Sequence, residues 1–359
     1  IEMLTTNKVI VMKSFIRNSI YIGIVFTSLG LTACGSESSS SVTTNADNAA
    51  KSIVISGSTF ARPFFENVLE KYKIRDQSTQ YAYHSIGSGA GIEQFITGEA
   101  DIGTTDAPIN TAESSRLKEG YEEIIITSGM ISIAYNIDGV NTPLNLPRDV
   151  YTDIFLGKIT QWNDPRIQSA NADISLPKSH IQLITRSDSS GTTYAFTQHL
   201  SAISPEWKNT FGAHKVIDWP GKAMKAKGNE GVSQRLSITK NSIGYVEFGF
   251  VKQLGLKMAR LENKHGKFLL PDIKSGQVSF NDEQYPESEE RASSISDPDG
   301  YPIVTYTWAL IRKDYSDPRK TEKVRDLIKW TLNDGQKLAE DLYYLPLSEQ
   351  IIRSEQSKL

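Results

Sequence analysis

The sequence predicts an α/β protein, and three features support that fold class. Short apolar strands alternate with amphipathic helices over the first folded stretch, from about Ser52 to Asp106. The junctions between these strands and helices consist largely of Ser, Thr and Gly, residue types that begin helices and turns. The same order of strand, polar turn and helix returns near residue 185, so the α/β character extends along the chain.

The N-terminal segment, residues 1–34, has the features of an export signal rather than of a folded element. An apolar run at 20–26 is too short and too early for an ordinary membrane span. Met12 is a possible start of translation, with the residues before it an over-extension. The basic residues that precede the apolar run, as in export signals, are Lys8, Lys13 and Arg17.

The only cysteine of the chain, Cys34, ends this segment. The sequence Leu-Thr-Ala-Cys at 31–34 resembles the lipobox of bacterial lipoproteins, whose cysteine is lipidated and becomes the new N-terminus. An ordinary secretory signal that happens to contain a cysteine is the alternative. Residues 35–51 are mostly Ser, Thr, Asn and Ala, and this composition predicts a flexible tether before the folded body. With one cysteine, no disulfide can form within the chain.

Two junctions near the start of the folded body present hydroxyl groups where a helix begins. The first, at 53–63, passes from a β-branched run through Ser-Gly-Ser-Thr-Phe to Pro63, which marks a first helical turn. The apolar residues that follow recur at helical spacing and predict its buried face: Phe64, Phe65, Val68, Leu69 and Tyr72. The second, at 81–92, contains Gly-Ser-Gly-Ala-Gly before an amphipathic helix. A turn at 100–108 follows and carries the carboxylate of Asp106.

The middle of the chain continues the same pattern. Residues 124–126 and 130–136 each have the composition of a buried strand. Apolar residues at helical spacing predict a helix from about Val150, which Gly157 ends. Trp162 is predicted to be a packing anchor rather than a ligand-binding residue.

The longest polar junction is Thr-Arg-Ser-Asp-Ser-Ser-Gly-Thr-Thr at 185–193, between an apolar run and Tyr194. Ser190 and Thr192 are good helix-capping residue types, and Gly191 allows the backbone to approach a ligand closely. Free N–H groups and hydroxyls would therefore converge where this helix begins. Such a place binds anions.

Arg186 and Asp188 strengthen this interpretation of the 185–193 junction. They lie two residues apart, so the carboxylate can hold the guanidinium in one orientation beside the helix start. A surface turn with an incidental ion pair is the alternative. The presence of two similar junctions earlier in the chain favours the anion site.

Three elements complete the chain. Residues 242–246 and 301–311 have strand composition, and apolar residues between Val324 and Leu332 recur at helical spacing. They predict two further strands and a C-terminal amphipathic helix.

Composition bounds the function. At 359 residues the chain is long enough for two domains. Its net charge of −3 does not indicate a nucleic-acid-binding protein. None of the five histidines lies in a recognisable catalytic motif. Neither paired cysteines nor a His-Glu-x-x-His motif is present, so no metal or other cofactor is predicted.

Six motifs occur in order along the chain. They are Ser-Thr-Phe at 58–60, Ile-Gly-Ser-Gly-Ala-Gly at 86–91, Thr-Asp-Ala-Pro at 105–108, Ile-Phe-Leu-Gly-Lys-Ile with Trp-Asn-Asp-Pro at 154–165, Arg-Ser-Asp-Ser-Ser-Gly-Thr at 186–192, and Ile-Gly-Tyr-Val-Glu at 243–247. Together they resemble the phosphate-binding proteins of bacterial phosphate ABC transporters, over residues from about 52 to 341. The resemblance implies a periplasmic-binding-protein-like fold, in which two α/β lobes joined by two hinge crossings enclose the ligand cleft.

The resemblance also implies a set of phosphate-binding residues. Hydroxyl and backbone donors, one charged donor with its carboxylate partner, and one carboxylate acceptor carry over at matching positions. They are Thr59, Phe60, Ser88, Asp106, Arg186, Asp188, Ser190, Gly191 and Thr192. The sequence departs from the family pattern at Ser58, at Ala61-Arg62 and at Ser189, and Arg62 is either a surface residue or an added charge near the cleft mouth.

The two crossings are expected near residues 128–130 and 302–305, where strand composition returns. Lobe I would then comprise residues 52–128 and 303–359, and lobe II residues 129–302. Ligand contact with both lobes would stabilise the closed form, which is how such a receptor can signal occupancy to a permease.

The resemblance predicts a monomeric receptor, anchored by lipid in the periplasm or on the outer face of the cell membrane, that delivers inorganic phosphate to an ABC permease. A receptor for another tetrahedral oxyanion, such as sulfate or molybdate, is the main alternative. A surface lipoprotein without uptake is a second. A secreted phosphatase is a third, but no Gly-x-Ser-x-Gly motif frames Ser190. A dinucleotide-binding enzyme is weaker still, because Gly-Ser-Gly-Ala-Gly at 87–91 lacks the glycine spacing of a dinucleotide site.

Overall fold

The computed structural model describes residues 51–280 and 288–359, and these belong to one compact unit. The predicted signal segment with Cys34, and the tether apart from its last residue, lie outside the described residues. No helix among the described residues is long and apolar enough to cross a membrane.

Twelve strands form two sheets among the described residues. The strands are β1 (Ser52–Gly57), β2 (Gln80–Ser85), β3 (Ile102–Thr105), β4 (Tyr121–Asn136), β5 (Asn145–Leu146), β6 (Gln182–Arg186), β7 (Met224–Ala226), β8 (Ser242–Glu247), β9 (Lys257–Met258), β10 (Arg260–Glu262), β11 (Phe268–Leu269) and β12 (Val304–Arg312).

Helices flank the sheets, and most begin directly after a strand or a short turn. The helices are α1 (Arg62–Arg75), α2 (Ser88–Thr97), α3 (Thr111–Ser114), α4 (Arg148–Phe155), α5 (Pro165–Ser169), α6 (Gly191–Ile203), α7 (Pro205–Thr210), α8 (Gly228–Ile238), α9 (Phe248–Leu254), α10 (Ile273–Gln277), α11 (Ser288–Ser294), α12 (Pro318–Leu332) and α13 (Glu349–Gln356), with 3-10 turns at Asp334–Leu338 and Glu340–Leu342.

The larger sheet has the strand order β2-β1-β3-β12-β4-β8-β6-β7, with β9 also paired to β4. β1 runs parallel to β2 and β3, and β6 runs parallel to β7 and β8. The antiparallel strands β12 and β4 join these two parallel groups. Because carboxyl ends of neighbouring parallel strands meet at one edge, the helices that follow them begin close together. The smaller sheet has the order β11-β10-β5.

β4 is a single strand of 16 residues, whereas the sequence predicts two strands, at 124–126 and 130–136. Its first part, to Met130, pairs with β12, and its second part, from Ile131, pairs with β8. The Ser-Gly pair between the two predicted strands resembles a turn. In the structure Gly129 continues the strand and pairs with Thr305 of β12. The Phe60 ring packs on it, and a Cβ there would lie 2.8 Å from Phe60 Cζ, which explains why this strand position is a glycine.

The predicted helices and packing residues are otherwise confirmed. α1 has Pro63 in its first turn, α4 ends before Gly157, and α12 extends the predicted C-terminal helix toward its N-terminus. Trp162 is completely buried and donates its indole N–H to the Asn241 carbonyl at 3.0 Å, as expected of a packing anchor. The buried face of α1 is the predicted set, Phe64, Phe65, Val68, Leu69 and Tyr72.

Candidate anion-binding site

Three strand-to-helix junctions meet at one point in the structure. Gly191, the first residue of α6, packs directly against Ser88, the first residue of α2, and against the turn at Asp106. A Cβ on Gly191 would lie 2.5 Å from Ser88 Oγ and 2.6 Å from the Asp106 backbone nitrogen. Only glycine permits this approach, because the Cβ of any other residue would clash with Ser88 and Asp106.

Arg186 provides a buried, oriented positive charge at this point. Its Nε donates to Asp188 Oδ1 at 2.8 Å and its Nη2 to Asp188 Oδ2 at 2.5 Å. The side chain is 2% exposed, and Nη1 donates to Thr192 Oγ1 at 3.3 Å. The predicted pairing of Arg186 with Asp188 is confirmed. Since a guanidinium has five N–H groups and three are used here, two remain for another acceptor.

Asp188 is held in its charged form. Burial acts to raise its pKa, but the hydrogen bonds and the charge of Arg186 outweigh burial, so the pKa lies below its ordinary value. The backbone N–H of Gly228 also donates to Asp188 Oδ1, at 3.1 Å. Asp188 therefore serves to orient Arg186 and to tie α8 to this junction.

Ser88 and Ser190 both accept a backbone N–H through their hydroxyl oxygens. Ser190 Oγ caps α6 by accepting the Thr193 N–H at 3.0 Å, and Ser88 Oγ accepts the Asp106 N–H at 3.3 Å. A hydroxyl that accepts through its oxygen keeps its proton for another acceptor. The Ser190 proton has no acceptor among the described residues, whereas the Ser88 hydroxyl also interacts with the Asp106 carboxylate and acts to lower its pKa.

The hydroxyl oxygens of Thr59 and Thr192 also accept hydrogen bonds, from Asn229, a residue that the sequence analysis did not identify. Asn229, in α8, donates Nδ2 to Thr59 Oγ1 at 3.1 Å and to Thr192 Oγ1 at 3.0 Å. Its backbone N–H also donates to Thr59 Oγ1, at 3.0 Å. No pattern in the Gly- and Lys-rich segment around Asn229 distinguishes it from a loop residue, since its contacts arise only from tertiary packing.

Backbone donors also converge here. The first N–H groups of a helix have no intrahelical acceptor. At these helix starts, several N–H groups have no hydrogen-bond acceptor in the part of the chain that the structure describes. These groups belong to Thr59, Phe60, Ser88, Gly191 and Thr192.

Phe60 combines two roles. Its ring is buried and packs edge-on against Tyr344, with ring centroids 6.0 Å apart. Its carbonyl accepts the Tyr344 hydroxyl. Packing thus fixes the backbone here while leaving the Phe60 N–H as a donor, which is the role predicted for it.

Asp106 is the carboxylate acceptor of the junction and is 2% exposed. Its Oδ1 accepts the Ser58 hydroxyl at 2.6 Å and the Thr307 hydroxyl at 2.8 Å. Burial raises the pKa of Asp106 to about 6, although the hydroxyls of Ser58 and Thr307 and the charge of Arg186 act to lower it. Asp106 does not cap a helix, since Asn110 caps α3.

Ser58 and Thr307 are further residues that the sequence analysis missed. Ser58 was noted only as a departure from the family pattern, and Thr307 lies in a strand with apolar neighbours. Both are completely buried, and each directs its hydroxyl at Asp106. The buried carboxylate at the end of a neighbouring strand explains why polar side chains occur at these core positions.

Arg62 and Ser189, the other two departures, lie at the edge of the junction. Arg62 is 40% exposed and pairs with Glu66 at 2.8 Å and with Glu230 at 3.2 Å, so it is a surface charge rather than part of the hydroxyl cluster. Ser189 accepts the Gly89 N–H through its carbonyl at 3.0 Å.

Comparisons with known proteins show the family of this chain. A family model described as a PBP superfamily domain matches residues 41–334. The phosphate-binding protein PstS of Pasteurella multocida is 34% identical over 312 residues, which cover 86% of this chain and 90% of that protein. The chain belongs to the PstS family of phosphate-binding proteins.

Two further comparisons extend this result. The PstS protein of Methanocaldococcus jannaschii is 35% identical over 308 residues and covers 78% of either chain. A phosphate ABC transporter substrate-binding protein from Clostridium perfringens, solved with bound phosphate, has a TM-score of 0.60 at 19% identity, over 83% of this chain and 100% of that chain. The predicted periplasmic-binding-protein-like α/β fold and the predicted family are both confirmed.

The PstS-family chain shows no cluster of three or more His, Cys, Asp or Glu side chains arranged to hold a metal ion within residues 51–280 and 288–359. The polar groups at the junction are instead mainly donors, with Asp106 as an acceptor. Chemically, the arrangement can accommodate a small anion that carries several acceptor oxygens and one proton.

Proposed function

We propose that this protein is an extracytoplasmic receptor that binds inorganic phosphate and delivers it to an ABC permease for import. The observation that carries the proposal is the convergence of a buried guanidinium, four hydroxyl groups and five backbone N–H groups around Gly191. Phosphate oxygens accept such donors in fixed directions. The names of the relatives and the phosphate bound in the Clostridium perfringens protein support the choice of anion.

We propose the predicted lobes, 52–128 with 303–359 and 129–302, as the moving parts. The change of partner along β4 between Met130 and Ile131 supports a crossing there. The Ile131 N–H donates to the Ile303 carbonyl at 2.9 Å, and this contact supports a second crossing beside the first. Thr59, Ser88 and Asp106 then belong to one lobe and Arg186 to Thr192 to the other, so a ligand between them favours the closed form.

The same geometry argues against catalysis, and we propose that the protein is not an enzyme. A serine nucleophile needs an adjacent base. Ser190 Oγ is bonded only to the Thr193 N–H among the described residues. His199 lies in the same helix but bonds Tyr151 and the Ser296 carbonyl, and burial lowers its pKa to about 4. Ser190 and His199 therefore do not form the catalytic pair that the secreted-phosphatase alternative would need.

Selectivity is proposed to reside in Asp106. At neutral pH phosphate still carries a proton, which an ionised Asp106 can accept through Oδ2, whereas sulfate offers only acceptors and like charge. Leaving buried polar groups unpaired in this way can give discrimination of about 10⁴ to 10⁵. This favours phosphate over the sulfate alternative.

The proposal includes a lipid anchor on Cys34 after removal of the export signal, which would place a monomeric receptor in the periplasm or on the outer face of the membrane. It rests on the charge, apolar run and lipobox-like Leu-Thr-Ala-Cys of the first 34 residues. These residues lie outside the described part of the structure.

A thermal-shift panel tests the function. The anion-free protein is melted with phosphate, sulfate, molybdate or buffer alone, and phosphate is expected to raise the midpoint far more than the other two anions. A larger shift with sulfate or molybdate would reassign the ligand, and no shift with any of them would favour the surface lipoprotein. Turnover of a chromogenic phosphate ester would support the phosphatase.

A further inference from the structure

Asn229 is completely buried and connects the two sides of the candidate site. Its Nδ2 donates to Thr59, just before α1, and to Thr192, in the first turn of α6. One amide group therefore bonds a hydroxyl from each proposed lobe.

The orientation of the Asn229 amide is settled by its other bond. Oδ1 accepts the backbone N–H of Glu247 at 3.0 Å, and a backbone N–H can only donate. The NH₂ end must therefore face Thr59 and Thr192. Toward Asn229, both hydroxyls are acceptors.

The protein side of each hydroxyl is consequently filled. Thr59 Oγ1 accepts both the backbone N–H and Nδ2 of Asn229, at 3.0 and 3.1 Å. Thr192 Oγ1 accepts Asn229 Nδ2 at 3.0 Å and Arg186 Nη1 at 3.3 Å. A hydroxyl oxygen has two lone pairs, so the remaining hydrogen-bonding capacity of each group is its proton.

We propose that Asn229 is a positioning residue that fixes the hydroxyls of Thr59 and Thr192 as donors toward the bound anion. The inference rests on the proposed function, since it specifies how two of the proposed phosphate donors are held. Without the Asn229 side chain, each hydroxyl keeps only one of its two donors, so its proton is no longer confined to a single direction. Binding must then order both groups, and affinity falls.

A double-mutant cycle measured by calorimetric titration with inorganic phosphate tests this. The four proteins are the parent, Asn229→Leu, Thr59→Val with Thr192→Val, and the triple variant. A charge-assisted hydrogen bond is worth roughly tenfold to a hundredfold in affinity. Asn229→Leu is therefore expected to weaken binding by about that factor in the parent, but by less than about threefold once both hydroxyls are gone.

The cycle separates positioning from a purely structural effect. Asn229→Leu also leaves the Glu247 N–H unpaired, and that cost is the same in both backgrounds. Equal losses of affinity in the two backgrounds would overturn the inference while leaving phosphate binding by the parent intact. If the parent itself fails to bind phosphate in the same titration, the proposed function falls, and the inference falls with it.

Asn229→Asp serves if the leucine variant does not fold. It keeps the shape and the acceptor for the Glu247 N–H, but its second oxygen draws both hydroxyl protons to itself. The loss of phosphate affinity should exceed that caused by Asn229→Leu. The same substitution in the variant with Thr59→Val and Thr192→Val measures the effect of the added charge alone. A loss of affinity that is as large in that variant as in the parent would contradict the inference. Ser233→Ala is the matched control, because Ser233 is buried in the same helix and bonds only the Glu230 carbonyl. Its affinity should equal that of the parent.

Discussion

Replacing Asp106 by asparagine is expected to stabilise the protein in the absence of phosphate. Burial raises the pKa of Asp106 to about 6 from the ordinary 3.8, so the folded state disfavours the ionised form. At about 1.4 kcal/mol per pH unit, this difference corresponds to roughly 3 kcal/mol of unfolding free energy lost at neutral pH. In the Asp106→Asn variant the amide oxygen would still accept from Ser58 and Thr307, without the charge.

The gain from Asp106→Asn should depend on pH in a defined direction. Below about pH 3.8 the carboxyl is protonated in both the folded and the unfolded state, so the variant and the parent should be equally stable. As the pH rises toward about 6, the unfolded chain ionises first and the parent loses stability relative to the variant. Above about pH 6 the difference should stay constant.

Urea unfolding of phosphate-free proteins at about pH 4 and about pH 7.5 measures this difference. Asp188→Asn is the matched control, because Arg186 holds the pKa of Asp188 below its ordinary value and the sign reverses. That variant should be less stable than the parent at neutral pH. Equal stability of Asp106→Asn and the parent at about pH 7.5, or a gain of the same size at both pH values, would refute the reasoning.

Three other predictions concern binding and location. Asp106→Asn should gain measurable sulfate binding in competition against labelled phosphate while losing comparatively little phosphate affinity; continued rejection of sulfate would remove Asp106 from selectivity. Arg186→Ala should weaken phosphate binding by about 2 to 5 kcal/mol, more than Ser190→Ala does, because only the first removes a charged donor; equal losses by calorimetry would place Arg186 outside the site. Cys34→Ser should release the protein from membranes of its native host with loss of acyl label, and an unchanged membrane fraction would reject the anchor.

Much of the fold was predictable because its signals are local. The period of the apolar residues gave the buried face of α1, and Pro63 and Gly157 marked a helix start and a helix end. β4 was harder to predict, because a Ser-Gly pair in the middle of a strand resembles a turn. Gly129 stays in the strand through its pairing with Thr305 of β12, and the Phe60 ring leaves no room for a side chain there; neither long-range contact has a local signal in the sequence.

Some residues of the candidate site also have local sequence signals, and others do not. The donors at helix starts follow from strand-to-helix junctions, and the Arg186–Asp188 pair follows from a spacing of two. Asn229 and Thr307 came from other parts of the chain and were not predicted. They bond groups of the site through tertiary packing, and neither residue type nor spacing marks them in the sequence.

The charges at the site explain why it depends on such exact placement of neutral groups. Arg186 contributes one positive charge, and Asp188 and ionised Asp106 contribute two negative charges, so the formal sum at neutral pH is about −1. Glu247 adds little, because burial raises its pKa to about 8 and keeps it largely protonated. The formal charges of these side chains therefore do not account for the binding of an anion here. The attraction must come from N–H and O–H dipoles at contact distance, which act only when they point at the ligand. Positioning of those hydrogens, which Ser190 achieves by capping α6, then determines affinity as directly as the presence of the donors does.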